Sequence, residues 1–200
     1  MKKWLIPLII VALICFGVYN WAVGFNNTAV EHEANAKTAW SNVESSYQRR
    51  SDLIGNLVST VKGAADFEKS TLTQVIEARA KATSTTIDPT NITPENLEAF
   101  QQAQSGLSGA LSRLLVSVER YPELKANQNF LDLQNQLEGT ENRISIARRD
   151  YINSIAGYNT ELRTYPGKLW HGWLYPELTV REDYYEATAA AADQPPAVTF

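Results

Sequence analysis

Residues 130–165, FLDLQNQLEGTENRISIARRDYINSIAGYNTELRTY, carry the pattern that decides the fold. Phe130, Leu133, Leu137, Thr140, Ile144, Ala147, Tyr151, Ile155, Tyr158, Leu162 and Tyr165 recur at steps of three and four. A helix of 3.6 residues per turn places them on one stripe, with polar residues on the remaining faces. Phe100, Ala103, Leu107, Ala110, Leu111, Leu114, Val118 and Tyr121 repeat the pattern upstream. No stretch alternates with a period of two, so strands are not expected. Seams this narrow suit helices packed at shallow angles, and the fold class is all-α: an antiparallel up-and-down bundle.

Local chemistry sets the boundaries. Thr93-Pro94-Glu95 offers an N-cap, a proline at the first helical position and an acid in the first turn. Tyr121-Pro122 ends one helix, and Pro122-Glu123 can begin the next, running over 125–164. Residues 83–91, TSTTIDPTN, form a polar connector, and Pro166-Gly167 stops the last helix. As one helix, residues 28–84 would run about 85 Å, against about 60 Å for 125–164 and about 40 Å for 94–120. A break near Gly63 gives pieces of about 52 and 30 Å, which suit antiparallel neighbours, so four helices are favoured over three long ones. A kink near Gly55 is the competing solution.

Before the bundle, residues 4–23 read WLIPLIIVALICFGVYNWAV, without a charge. Roughly 20 apolar residues span about 30 Å of hydrocarbon. Trp4 at one end and Tyr19, Trp21 and Phe25 at the other match the two aromatic belts. A cleaved signal peptide would also begin with Lys2 and Lys3, but it would have a shorter apolar run and small residues where Tyr19 and Trp21 stand. Ile14 before Cys15 argues against a lipoprotein. Three regions result: an anchor over 1–25, a bundle over 26–165, and an aromatic loop with an acidic, Ala/Pro-rich tail over 166–200. Lys2 and Lys3 precede the span, and Lys37 is the one Lys or Arg in the twenty residues after it. The positive-inside rule then places the bundle outside the cytoplasm, on a single-pass membrane protein.

Composition excludes several functions. The 18 Lys and Arg against 22 Asp and Glu form no dense basic patch, so nucleic acid is not an expected partner. One cysteine, Cys15, permits no intrachain disulfide. The two histidines, His32 and His171, lie far apart in sequence, and neither belongs to a Glu-x-x-His pair of the kind that builds a di-metal bundle. Both read as surface residues. There is no Gly-x-Ser-x-Gly, P-loop or G-x-G-x-x-G motif. Gly106-Leu107-Ser108-Gly109 lies within a helical stripe and suits close helix approach. No catalytic residue, metal or cofactor is expected, and the oligomeric state is not readable.

Two features invite specific expectations. If the longest helices pair with their midpoints level, Arg49, Arg50 and Asp52 face Arg148, Arg149 and Asp150. Arg49 or Arg50 would then pair with Asp150, and Arg148 or Arg149 with Asp52, in a crossed layer that fixes register. The second feature is the C-terminal region. Trp170 and Trp173 in PGKLWHGWLYP could rest at the lipid interface or cap the base of the core. Residues 177–195 read as unfixed or laid along the bundle. The ending Val198-Thr199-Phe200 has the form a PDZ-like module accepts, and a tail docked on its own bundle explains it as well.

The residues also resemble a known family. Phe25-Asn26-Asn27, Ala39-Trp40, Gln48-Arg49-Arg50-Ser51-Asp52-Leu53-Ile54-Gly55-Asn56-Leu57-Val58, Val61-Lys62-Gly63, Phe67-Glu68 and Glu77-Ala78-Arg79-Ala80-Lys81-Ala82 follow in order. Ala147-Arg148-Arg149-Asp150-Tyr151-Ile152, Tyr158-Asn159, Tyr165-Pro166 and the last five residues continue the series. Together they resemble the LemA family of bacterial membrane proteins, with Gly55 standing where that family usually has proline. The resemblance implies an N-terminal span in a bacterial inner membrane and a helical bundle, and no established activity. It loosely implies partners among envelope proteins such as membrane proteases. Some family descriptions put the short N-terminus outside, opposite to the charge-based orientation. The expected function is a membrane-anchored, non-enzymatic interaction or scaffold component of the cell envelope. The alternative is a ligand- or lipid-binding bundle with a pocket between helices.

Overall fold

The computed structural model describes residues 4–63, 67–89 and 91–181, and among these it has helices and no strand. Helix α1 spans Leu5–Lys62, α2 Lys69–Ser84, α3 Pro94–Val118, α4 Pro122–Lys125, α5 Gln128–Arg163 and α6 Gly167–Trp173. The break expected near Gly63 is present, and α1 passes Gly55 without interruption. Helix α1 also crosses the expected anchor–bundle boundary at residue 25 unbroken. The corner after Tyr121 holds a separate single turn, α4, and the long helix starts only at Gln128. Asn127 caps that start, its Oδ1 accepting from Phe130 N at 3.2 Å. At α3, Thr93 is the N-cap of a reciprocal capping box with Asn96, and Pro94 occupies the first turn.

The described residues form two compact units, one drawn from 4–39 and 153–181 and the other from 40–152. In the second unit, α1, α2, α3 and α5 form the bundle. Their facing stripes bury Ile54, Leu57, Val61, Val75, Leu107 and Leu114 almost completely. Helix α2 runs back along α1. Arg79 Nε donates to Ser51 O at 2.7 Å, and the Ser51 and Thr83 hydroxyls lie 3.0 Å apart. Gly55 makes room for this, since a Cβ there would stand 3.1 Å from the Arg79 guanidinium carbon. At the other end of the unit Trp40 is fully buried, with Tyr151 at 5.2 Å and Phe100 at 5.8 Å between ring centroids. A core Trp of this kind is worth about 3–5 kcal/mol against alanine.

The first unit contains the N-terminal part of α1, the end of α5 and α6. Phe25 and Ala29 of α1 pack with Tyr158 and Leu162 of α5 and with Leu178, and Trp170 and Tyr175 lean against them. His32 is half-buried against Gly157 rather than free on the surface. Residues 175–181 are held along α5. Asn159 Nδ2 donates to Arg181 O at 2.7 Å, and Arg181 N donates to Asn159 Oδ1 at 2.9 Å. By contrast, the apolar side chains from Leu5 to Trp21 are exposed. Among the described residues α1 is the one helix long and apolar enough, by length and composition, to cross a membrane.

Gly167 is the tightest point of the first unit. A Cβ there would collide with the Glu161 carbonyl oxygen and stand 2.7 Å from the Phe25 ring. Gly167→Ala is therefore expected to cost about 1–3 kcal/mol. Gly172→Ala, which meets open space, should be neutral or slightly stabilising. Denaturant midpoints of the full chain in detergent would read the difference, and equal effects of the two changes would contradict this packing.

Candidate functional site: the Arg50 layer and its clefts

Arg50 lies on the face of α1 that its apolar spacing turns inward, and its side chain is only 4% exposed. One terminal nitrogen donates to Glu141 Oε1 at 2.8 Å and to Ser108 Oγ at 3.2 Å. The other donates to Gln104 Oε1 at 2.5 Å and Gln104 O at 3.4 Å. The guanidinium carbon stands 4.9 Å from the centroid of the Tyr47 ring. Gln104 Nε2 donates to Ala82 O at 3.3 Å, which extends the network to α2. One cation thus joins all four bundle helices. Arg50 Nε has no hydrogen-bond partner among the described residues.

The expected crossed layer is replaced by this one. Arg50 pairs with Glu141, and Asp52 lies 3.8 Å from Arg79 and accepts from Gln48 at 3.1 Å. Arg49, Arg149 and Asp150 are exposed, and Arg148 hydrogen-bonds the Tyr47 hydroxyl. The reason lies in the aromatic packing. Trp40 is level with Tyr151, so ten residues further along α1 and ten back along α5 bring Arg50 level with Glu141. Asp150 adjoins Tyr151 in sequence and therefore stands about 13 Å from the Arg50 level. The helices align where their largest side chains interlock, not at their midpoints. Glu141, Gln104 and Ser108 were missed in the sequence because nothing local marks them. An extra polar residue on the α3 seam, Gln104 between Ala103 and Leu107, was the one available signal.

Gly106 and Gly109 give no close helix approach, since Gly106 faces open space and the nearest side-chain atom to a Cβ at Gly109 is 3.9 Å away. Ser108 between them makes the contact. Trp170 and Trp173 fall on α6 and separate: Trp170 packs inward, whereas Trp173 is exposed. Val198, Thr199 and Phe200 lie outside the described residues.

Two clefts flank the Arg50 layer. One, of about 260 Å³, is lined by Glu44, Tyr47, Ser51, Thr83, Phe100 and Gln104. The other, of about 610 Å³, is lined by Tyr47, Arg50, Glu98, Gln102, Glu141 and Arg148, among others. Burial raises the Glu44 carboxyl above its ordinary value, partly offset by its interaction with Trp40. Burial likewise pushes the Tyr47 phenol up, against the opposing pull of Arg148 and Arg50. These groups can present hydrogen bonds and charge to a polar molecule. Among the described residues no group of three or more His, Cys, Asp or Glu could hold a metal ion.

An apolar helix joined to an all-helical domain with a buried polar layer defines a class of helical-bundle protein with one candidate membrane span. Residues 39–200 match the LemA family, and the chain belongs to it. It is 26% identical over 181 residues to Magnetosome protein MamQ 2 of Paramagnetospirillum magneticum, covering 82% of this chain and 65% of the relative. It is 27% identical over 157 residues to Magnetosome protein MamQ of Magnetospirillum gryphiswaldense, covering 70% of this chain and 58% of that one. Protein LemA of Metamycoplasma hominis is 24% identical over 154 residues, 76% of this chain and 67% of the relative. The chain thus spans between 58% and 67% of the length of these relatives. The apolar helix and the family together point to membrane anchoring.

Two outcomes follow from the layer. A double-mutant cycle should give a coupling of about 1 kcal/mol between Arg50 and Glu141, Glu141 being half-exposed, and none between Arg50 and Asp150. Arg50→Ala alone should cost about 3 kcal/mol in chemical denaturation. The second outcome concerns pH. The folded phenol of Tyr47 holds its proton more tightly than the unfolded one, whose pKa is about 10. Its contribution to stability is complete below about pH 10 and is lost as pH rises toward the folded pKa. Stability measured against pH should fall less steeply above about pH 10 in Tyr47→Phe than in the parent.

Proposed function

We propose that this protein is a membrane-anchored, non-enzymatic scaffold of the bacterial cell envelope, working through the surface of its helical bundle. The observation that carries this reading is the Arg50 layer. A buried cation whose terminal nitrogens bond to α3 and α5 is spent on holding the bundle in one register. Buried ion pairs specify geometry more dependably than they add stability, and a fixed register suits a platform that presents one constant surface. Two relatives named as magnetosome proteins fit membership in a larger assembly. Residues 4–23 make the lipid contact, and Lys2 and Lys3 favour a cytoplasmic N-terminus with the bundle outside.

A second reading is favoured by the larger cleft. Its Gln, Ser, Glu and Arg lining suits a small polar ligand better than an acyl chain.

Photo-crosslinking residues placed at exposed bundle positions outside the cleft, such as Arg113, Asp132 and Arg149, in cells, would test the scaffold reading. Discrete crosslinked species from one face, retained when the cleft is altered by Arg148→Ala, are expected. If no position crosslinks to protein in intact membranes, the scaffold reading fails. If crosslinking is abolished by Arg148→Ala while the fold is retained, the cleft reading takes its place. Labelling of Arg113→Cys by a membrane-impermeant maleimide in intact cells, in a Cys15→Ser background, would check the orientation. Protection of that cysteine until the membrane is opened would reverse it.

A further inference from the structure

We propose that α6 lies in the lipid–water interface, with Leu169 and Trp173 inserted at the level of the headgroups, as a second lipid contact beside the apolar helix. This rests on the membrane-anchor reading of residues 4–23. Three observations within the first unit carry it.

The first is position. Trp21 stands near the C-terminal end of the uncharged run, where an interfacial belt falls. Its ring meets Trp170 of α6 edge to face at 5.8 Å. One turn later on α1, Phe25 lies so close to Gly167 that no side chain fits at that glycine. Helix α6 is therefore fixed against the end of the span.

The second is exposure. Trp173 is 80% exposed and Leu169, one turn before it, 56%, with Leu174 and Tyr165 also uncovered. A seven-residue helix with this much uncovered apolar surface is costly in water, since apolar area contributes about 25 cal/mol per Å² when it leaves water. The third is chemistry. The inward positions Gly167 and Trp170 are used in packing, so the outward stripe is not needed for the fold. Tryptophan with a neighbouring lysine is a side-chain pair suited to the headgroup region, the indole ring sitting there and the Lys168 ammonium reaching the phosphates. The occupant is a lipid surface because the adjoining segment of the same unit is the span.

The test uses the full chain, with Cys15→Ser, in vesicles of phosphatidylethanolamine and phosphatidylglycerol. Nitroxide labels are placed singly at Val11→Cys, Leu169→Cys, Trp173→Cys and, as the water-exposed reference, Arg113→Cys. Collision rates with oxygen, which concentrates in lipid, are compared with those of a water-soluble nickel chelate. The oxygen-to-nickel ratio at 169 and 173 is expected to exceed that at 113 several-fold, and Val11 should give the highest ratio. A lipid-like Val11 with water-like 169 and 173 overturns the α6 inference alone. Labels at 169 and 173 shielded from both reagents would mean that protein covers the stripe, which also overturns it. A water-like Val11 overturns the anchor reading and this inference together.

Discussion

Within the bundle unit, one buried cation and one buried indole set the geometry between them. Arg50 brings a charge into the interior, where an unpaired guanidinium would cost several kcal/mol, so its partners must arrive in place. Gln104 and Ser108 reach it from α3 and Glu141 from α5. Trp40 fixes the same helices ten residues away on α1 by packing against Tyr151 and Phe100. A shift of one helical turn would break both levels together. Apolar stripes alone would tolerate such a shift, because Leu, Ile and Ala repeat along each seam. The layer makes the register singular.

The first unit is organised by close approach rather than by charge. Gly167 admits Phe25 of α1, and Asn159 offers both its oxygen and its nitrogen to the backbone of Arg181. Both devices tie the chain after α5 back to the helices it has just left. Pro166-Gly167, a local stop signal, lies just past the end of α5 at Arg163. The glycine has the further role of leaving room for an aromatic ring from the other end of the chain.

A functional conclusion at the level of class comes from the LemA match and the apolar helix together. The polar residues that looked most like a binding motif, Arg49-Arg50-x-Asp52, divide by burial. Arg50 points inward and is committed to the layer, while Arg49 stays exposed. A charged motif on a helix can therefore be half structural and half free, and only burial separates the halves. The clefts beside the layer inherit part of its polarity through Tyr47 and Gln104, which serve as walls of both.

Periodicity by itself determined the helices. Nearly every residue of the two quoted stripes is buried or half-buried, the exception being Tyr165, which falls beyond the end of α5. The break at Gly63, the cap at Thr93 and the apolar run were legible for the same reason: each depends on residues within one or two turns of one another. What only the tertiary structure decided was which helix levels meet. Glu141 rather than Asp150 answers Arg50 because the interlocked side chains of Trp40, Phe100 and Tyr151 set the helices at the level where Glu141 lies opposite Arg50. Shape complementarity acts over contact distances between segments far apart in the chain, and local sequence does not encode it.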